Sequence, residues 1–134
     1  MASIRKEITL DARPDDVWDA LRDFGALHER LVPGFVVDAR VDGDTRVITF
    51  FNGAVARERL VGIDDSARRL AYAVVESGLG FTHHSAAAQV LSDGDGSRFV
   101  WISDLLPDER APQVDALMER GIAAVRDALD GART

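Results

Sequence analysis

Histidine and glutamate side chains on predicted strands are the groups of this chain best suited to proton transfer. His84, Glu58 and Glu76 each lie within a different predicted strand. A histidine near a carboxylate is easily poised to exchange a proton near neutral pH. We therefore predict His84 as an acid–base residue oriented by Glu58 or Glu76, with Tyr72 hydrogen-bonding a substrate carbonyl. Aldol condensation or dehydration would then be the reaction class.

The same residues also have purely structural interpretations. A single histidine on a strand is often satisfied by a neighbouring side chain, and Glu58 could pair with an arginine on an adjacent strand. Large aromatic residues such as Tyr72 and Trp101 commonly fill a core. The residue types alone leave both interpretations open.

The sequence provides little support for a metal site, a phosphate site, or a serine or cysteine nucleophile. The chain has no cysteine, and its adjacent histidines, His83 and His84, would point to opposite faces of a strand. Only His28 remains as a further histidine, and Ser85 lies beside His84 without a glycine-flanked elbow. The glycines of 93–96 alternate with aspartates in a hairpin turn, unlike a phosphate cradle. We expect neither a metal nor a cofactor.

The composition is that of one globular domain spanning residues 1–134. Hydrophobic residues make up 46% and charged residues 29%, and the net charge is −7 with Lys6 as the single lysine. An acidic chain repels nucleic acids, and no apolar run is long enough to span a membrane. The first residues lack the apolar core of a signal peptide, so we expect a cytoplasmic protein.

The hydrophobic pattern predicts seven strands and three helices. The predicted strands are 3–11, 35–41, 45–51, 55–63, 69–76, 81–91 and 97–105. The predicted helices are 14–23, a short helix or turn at 26–31, and a long helix at 108–131. Because tight turns such as Asp42-Gly43 and Asn52-Gly53 join the later strands, an α+β fold with a curved antiparallel sheet is expected.

The long C-terminal helix carries one apolar stripe and must lie across the concave face of the sheet. One helix cannot fill that face, so we predict an apolar cavity between the sheet and the helix. Gly121 in mid-helix leaves room either for a close strand or for a ligand. The predicted ligand-contact residues are Phe24, Leu27, Phe35, Phe50, Tyr72, Val74, Phe99, Trp101, Leu117, Met118 and Gly121.

Four segments resemble one superfamily in the right order. They are 8–18 (ITLDARPDDVW), 24–27 (FGAL), 57–64 (RERLVGID) and 95–101 (DGSRFVW). The chain resembles the helix-grip superfamily of START domains, birch-pollen-allergen-like proteins and bacterial polyketide cyclases. Its motifs are most similar to those of the polyketide cyclase/dehydrase-like proteins. The resemblance implies a helix-grip fold with a ligand cavity.

Three functions follow from the pattern and the resemblance. The protein could bind a small hydrophobic ligand of lipid-, polyketide- or aromatic-like chemistry without catalysis. It could instead be an enzyme of the cyclase, dehydratase or aromatase type, or a stress-related or interaction module with a vestigial cavity. A monomer or a homodimer is expected, with no nucleic-acid or membrane partner.

Overall fold

A computed structural model describes residues 1–130 as a seven-stranded antiparallel sheet that curves around one long helix. The strands are β1 (Ala2–Leu10), β2 (Val36–Asp42), β3 (Thr45–Phe50), β4 (Val55–Asp64), β5 (Arg69–Ser77), β6 (His83–Asp93) and β7 (Gly96–Leu106). The helices are α1 (Pro14–Arg22) and α2 (Ala111–Leu129). The predicted α+β architecture is confirmed; the predicted end of the last helix at Gly131 lies outside the described residues.

The sheet is a meander to which the first strand is added through pairing with the last. Its order is β1-β7-β6-β5-β4-β3-β2, so β2 to β7 each pair with their neighbours in sequence. β1 pairs with β7, from Ala2 opposite Leu105 to Leu10 opposite Ser97. The β2–β3 and β3–β4 turns contain Gly43 and Gly53 at positive φ, which confirms the two predicted hairpin turns.

Strand alternation decides which side chains face α2. On β6, Ala86, Ala88 and Val90 are buried while His83 is exposed, and on β7 Phe99 and Ser103 are buried. These are the inward faces that the sequence predicts. Because successive strand residues point to opposite faces, each strand presents the same parity to the core wherever its pairing is regular.

The pairing is irregular near the end of β5, and the predicted orientation of Glu76 is wrong for that reason. Glu58 pairs with Val74 and Arg57 pairs with Glu76, so Val75 is an extra residue on β5. Such a bulge shifts the alternation by one residue. The Glu76 side chain is therefore 77% exposed and lies 3.5 Å from Arg57 on the outer face.

α2 lies against the concave face of the sheet with its predicted apolar stripe buried. Lys6 of β1 forms ion pairs with Asp115 at 2.8 Å and Glu119 at 2.7 Å, which tie the first strand to this helix. These two hydrogen-bonded carboxylates raise the pKa of Lys6. Within residues 1–130, no helix is both long enough and apolar enough to cross a bilayer.

Gly121 lets α2 approach the sheet closely. A Cβ atom at this position would lie 2.8 Å from the Trp101 ring and 3.2 Å from Phe35. Both distances are shorter than an ordinary carbon–carbon contact. Of the two sequence-based interpretations, Gly121 therefore makes room for aromatic side chains of the protein rather than for a ligand.

Gly121→Ala is expected to destabilise the protein. Alanine favours a helix by about 1 kcal/mol over glycine, but displacing the Trp101 ring costs about 1–3 kcal/mol. Urea denaturation measures the net change. Ala123→Gly, at an exposed position of the same helix, isolates the propensity effect. If Gly121→Ala stabilises the protein by as much as Ala123→Gly destabilises it, the close contact is contradicted.

Candidate functional site

A cavity of about 130 Å³ lies between the concave face of the sheet and α2. Its wall is mainly apolar, with contributions from α1, the turns after it, the strands and α2. The predicted contact residues that line it are Leu27, Phe35, Phe50, Tyr72, Val74, Phe99, Trp101, Leu117 and Met118. The predicted acid–base residues that line it are Glu58 and His84.

Two predicted contact residues do not line the cavity. Gly121 is covered by Trp101 and Phe35, as described above. Phe24 lies in a 3-10 turn (Phe24–Ala26) directly after α1, and its ring packs on the guanidinium of Arg46. Helical spacing from α1 predicted Phe24 as a cavity residue, but the change of helix type after Arg22 redirects its side chain.

A buried ion pair between Arg46 and Glu58 forms part of the cavity wall. The Arg46 Nε donates a hydrogen bond of 2.8 Å to Glu58 Oε1, and both side chains are at most 7% exposed. Arg46 Nη1 donates to the Phe24 carbonyl at 3.1 Å. The Phe24 and Tyr72 ring centroids lie 4.2 Å and 5.4 Å from Arg46 Cζ. The guanidinium is thus buried beside its partners at the cavity wall.

Arg46 lines the cavity but is absent from the predicted site, although two features of the sequence indicate its position. It shares strand parity with Ile48 and Phe50, which face inward, and the Asn52-Gly53 turn sets the β3–β4 register that places it opposite Glu58. The structural alternative for Glu58, pairing with an arginine of an adjacent strand, is the arrangement found.

Tyr72 and Trp101 form a second polar contact in the wall. The Trp101 Nε1 donates a hydrogen bond of 3.2 Å to the Tyr72 hydroxyl. Burial raises the pKa of the Tyr72 phenol well above its usual range, with a smaller contribution from the Glu58 carboxylate. The phenol is therefore neutral at physiological pH and retains its own proton to donate.

His84 lines the cavity as a neutral imidazole. Both ring nitrogens are buried, and neither has a hydrogen-bond partner within residues 1–130. The Phe81 ring packs edge-on against it, with ring centroids 4.5 Å apart. Burial lowers the pKa of His84 to about 4, with a smaller effect from neighbouring His83. A desolvated imidazole favours its uncharged form.

The structure does not bring the predicted acid–base set together. Glu58 is engaged by Arg46, Glu76 lies on the outer face, and neither carboxylate hydrogen-bonds His84. Among the described residues, no group of three histidine, aspartate or glutamate side chains is arranged to hold a metal ion.

The segment between β5 and β6 contributes two further lining residues, Leu79 and Phe81. The sequence pattern predicts that Phe81 begins a strand, but β6 begins at His83. Gly80, between the two lining residues, has a φ of 68°. This positive φ interrupts the strand, and glycine adopts it more readily than other residues do. This connecting segment therefore turns its apolar side chains toward the cavity.

This arrangement of sheet, helix and cavity agrees with a match over the whole sequence. Residues 1–134 match the family described as "Polyketide cyclase / dehydrase and lipid transport". The chain belongs to this family. The predicted superfamily is thereby confirmed, and the family's members include both enzymes and lipid carriers by its description.

Solved structures share the fold of this family member over nearly the whole chain. Protein XoxI from Bacillus cereus is 20% identical with a TM-score of 0.87, covering 100% of this chain and 99% of its own. A START superfamily protein from Mycobacterium smegmatis is 13% identical with a TM-score of 0.75, covering 97% and 95%. Norcoclaurine synthase from Thalictrum flavum, with dopamine and hydroxybenzaldehyde, is 21% identical with a TM-score of 0.72, covering 98% and 86%.

Removing Arg46 alone is expected to destabilise the protein strongly. Arg46→Met leaves the Glu58 carboxylate buried without its partner, which costs about 3–5 kcal/mol, whereas Arg46→Met with Glu58→Gln removes both charges and recovers most of that loss. Urea denaturation gives the free energies of unfolding. The exposed pair Arg57 and Glu76 is the control, and losing it should cost less than about 1 kcal/mol. Equal losses for Arg46→Met and Arg57→Met would contradict the buried pair's role.

Stability is expected to fall as the pH drops from 6.5 to about 4, in part because of His84. In this window the unfolded chain protonates the histidine at its ordinary pKa of 6.5, while the folded protein does so only near 4. The unfolded state then binds more protons, so stability is full above pH 6.5 and declines below it by up to about 3 kcal/mol. His84→Gln should flatten the pH dependence of urea denaturation, and exposed His83→Gln should flatten it much less, because His83 makes only the smaller contribution to the lowered pKa of His84. Identical curves for wild type and His84→Gln would disprove this assignment.

Proposed function

We propose that the protein binds a small hydrophobic ligand, of lipid-, polyketide- or aromatic-like chemistry, in the cavity between the sheet and α2. The observation that carries the proposal is the apolar wall with a few polar groups. Small-molecule sites commonly have this form, in which apolar side chains provide affinity and the polar groups orient the ligand.

The size of the cavity favours binding over a vestigial space. Protein interiors contain few voids larger than a water molecule. At about 24 cal/mol per Å³, an empty apolar cavity of 130 Å³ costs about 3 kcal/mol of stability. A ligand that fills the space recovers that loss, which is a physical reason for the space to exist.

Binding without catalysis is the function that the polar groups support best. The acid–base mechanism needs a carboxylate beside His84, but Glu58 is hydrogen-bonded to Arg46 and Glu76 is exposed. The unpartnered imidazole of His84 instead suits a role in ligand recognition, because a rotation of its buried ring toward the cavity would let a polar ligand group supply the missing hydrogen bond. Norcoclaurine synthase, which shares the fold, holds dopamine and hydroxybenzaldehyde, so this fold accommodates aromatic molecules. The cytoplasmic location and the oligomeric state of the present protein stay predictions.

A thermal-shift screen against single-ring and two-ring aromatic compounds, short lipids and polyketide-like phenols tests the proposal. We expect at least one class to raise the melting temperature in proportion to its concentration, because a ligand that binds only the folded state stabilises it. Absence of any concentration-dependent shift across the library would overturn the proposed function.

A matched pair of variants on β6 locates the binding site. Ala88 lines the cavity and Ala87 points to the outer face of the same strand. Ala88→Ile should fill part of the cavity and weaken binding of the screened ligand at least roughly tenfold, since even one extra methylene is felt in a packed interior. Ala87→Ile adds the same side chain outside and should leave the affinity unchanged. Equal effects of both variants would place the ligand elsewhere.

A further inference from the structure

The charges in the cavity wall cancel. Of the described residues that line the cavity, Arg46 and Glu58 are the ones that carry a formal charge, and they are joined at 2.8 Å. The other titratable lining residues, Tyr72 and His84, are both neutral at physiological pH. A ligand therefore meets a wall with no net charge.

The Arg46 charge is balanced within the protein by Glu58. Glu58 and the Phe24 carbonyl accept hydrogen bonds from two of the five guanidinium N–H groups, and the Phe24 and Tyr72 rings lie close to it. A ligand carboxylate would therefore add a net negative charge beside an ion pair that is already neutral. A ligand ammonium would likewise add a net positive charge. Either outcome places an uncompensated charge in an apolar space.

The cavity volume indicates how large a group the cavity can bury. An engineered apolar cavity of ~150 Å³ in another protein binds benzene. At about 130 Å³, the present cavity accommodates a molecule on the scale of one aromatic ring. After a rotation that brings one of its buried nitrogens to the cavity surface, the uncharged imidazole of His84 could donate or accept a hydrogen bond with a neutral polar substituent on such a ring.

We propose that the cavity selects uncharged, ring-sized ligands with a neutral hydrogen-bonding group, and that the Arg46–Glu58 pair enforces this selection by neutralising itself. This inference rests on the proposed binding function and specifies its ligand class. It also assigns Glu58 a specificity role in place of the predicted acid–base role. Long-chain carboxylates and other organic anions are excluded as ligands.

Benzamide and benzoate provide the direct test, because they have nearly the same shape and differ in charge at neutral pH. Isothermal titration of the wild-type protein should show benzamide binding and benzoate binding at least roughly tenfold weaker, as expected for burial of an unpaired charge. Equal or tighter binding of benzoate would overturn the inference while leaving the binding function intact. If neither compound binds although the screen yields a ligand, the inference fails alone; if the screen yields none, both fail.

Glu58→Gln tests the role of the ion pair. This variant removes the carboxylate and leaves the Arg46 charge for a ligand anion, so the affinity ratio of benzoate to benzamide should rise at least roughly tenfold. Glu76→Gln makes the same change in total charge on the outer face and should leave the ratio unchanged. Retained benzamide binding shows that the variant is folded. If the affinity ratio of benzoate to benzamide is unchanged in folded Glu58→Gln, the role of the ion pair is contradicted. If that variant does not fold, the ratio measured for the wild-type protein decides whether the cavity selects uncharged ligands.

Discussion

Coverage of the concave sheet face by a single long helix is the constraint on which the rest of this structure depends. α2 approaches the sheet closely where Gly121 lies against the Trp101 ring, and Lys6 ties β1 to the same part of the helix through Asp115 and Glu119. α1 and the turns after it cover one end of the sheet. Because these elements touch the sheet at separate places, the curved surface between them is only partly filled. The cavity is thus a geometric result of the architecture.

The Arg46–Glu58 pair adds a chemical constraint to this geometry. Placing two charges in an apolar interior is costly, and the attraction between them offsets the cost only when the remaining donors and acceptors are also satisfied. Here a main-chain carbonyl accepts a second hydrogen bond from the guanidinium, and two aromatic rings lie close to it. The pair links β3 to β4 across the wall while leaving the cavity without net charge. The same interaction therefore contributes to the structure of the sheet and to the chemistry of the space that it encloses.

Regular alternation explains why much of the fold and of the cavity wall could be predicted from the sequence. Period-two patterns placed Phe99, Trp101 and His84 correctly, because β6 and β7 pair without interruption. Glu76 failed because the extra residue on β5 reverses the alternation, and no residue type marks that bulge. Arg46 was missed because a charged residue is ordinarily assigned to solvent, and only the position of its partner across the strands reveals it. Such partnerships depend on register, which sequence patterns describe less well than they describe individual elements.

The pairing of β1 with β7 has a consequence for how the chain acquires its structure during synthesis. The hairpins from β2 to β7 join segments close in sequence and can form as each emerges from the ribosome. β1 precedes every other strand in the chain, yet its hydrogen-bonding partner follows some 90 residues later, as in the pairing of Ile8 with Phe99. Its other main neighbour, α2, follows all seven strands. The first strand must therefore wait for both partners, and the cavity takes shape only after α2 has been made.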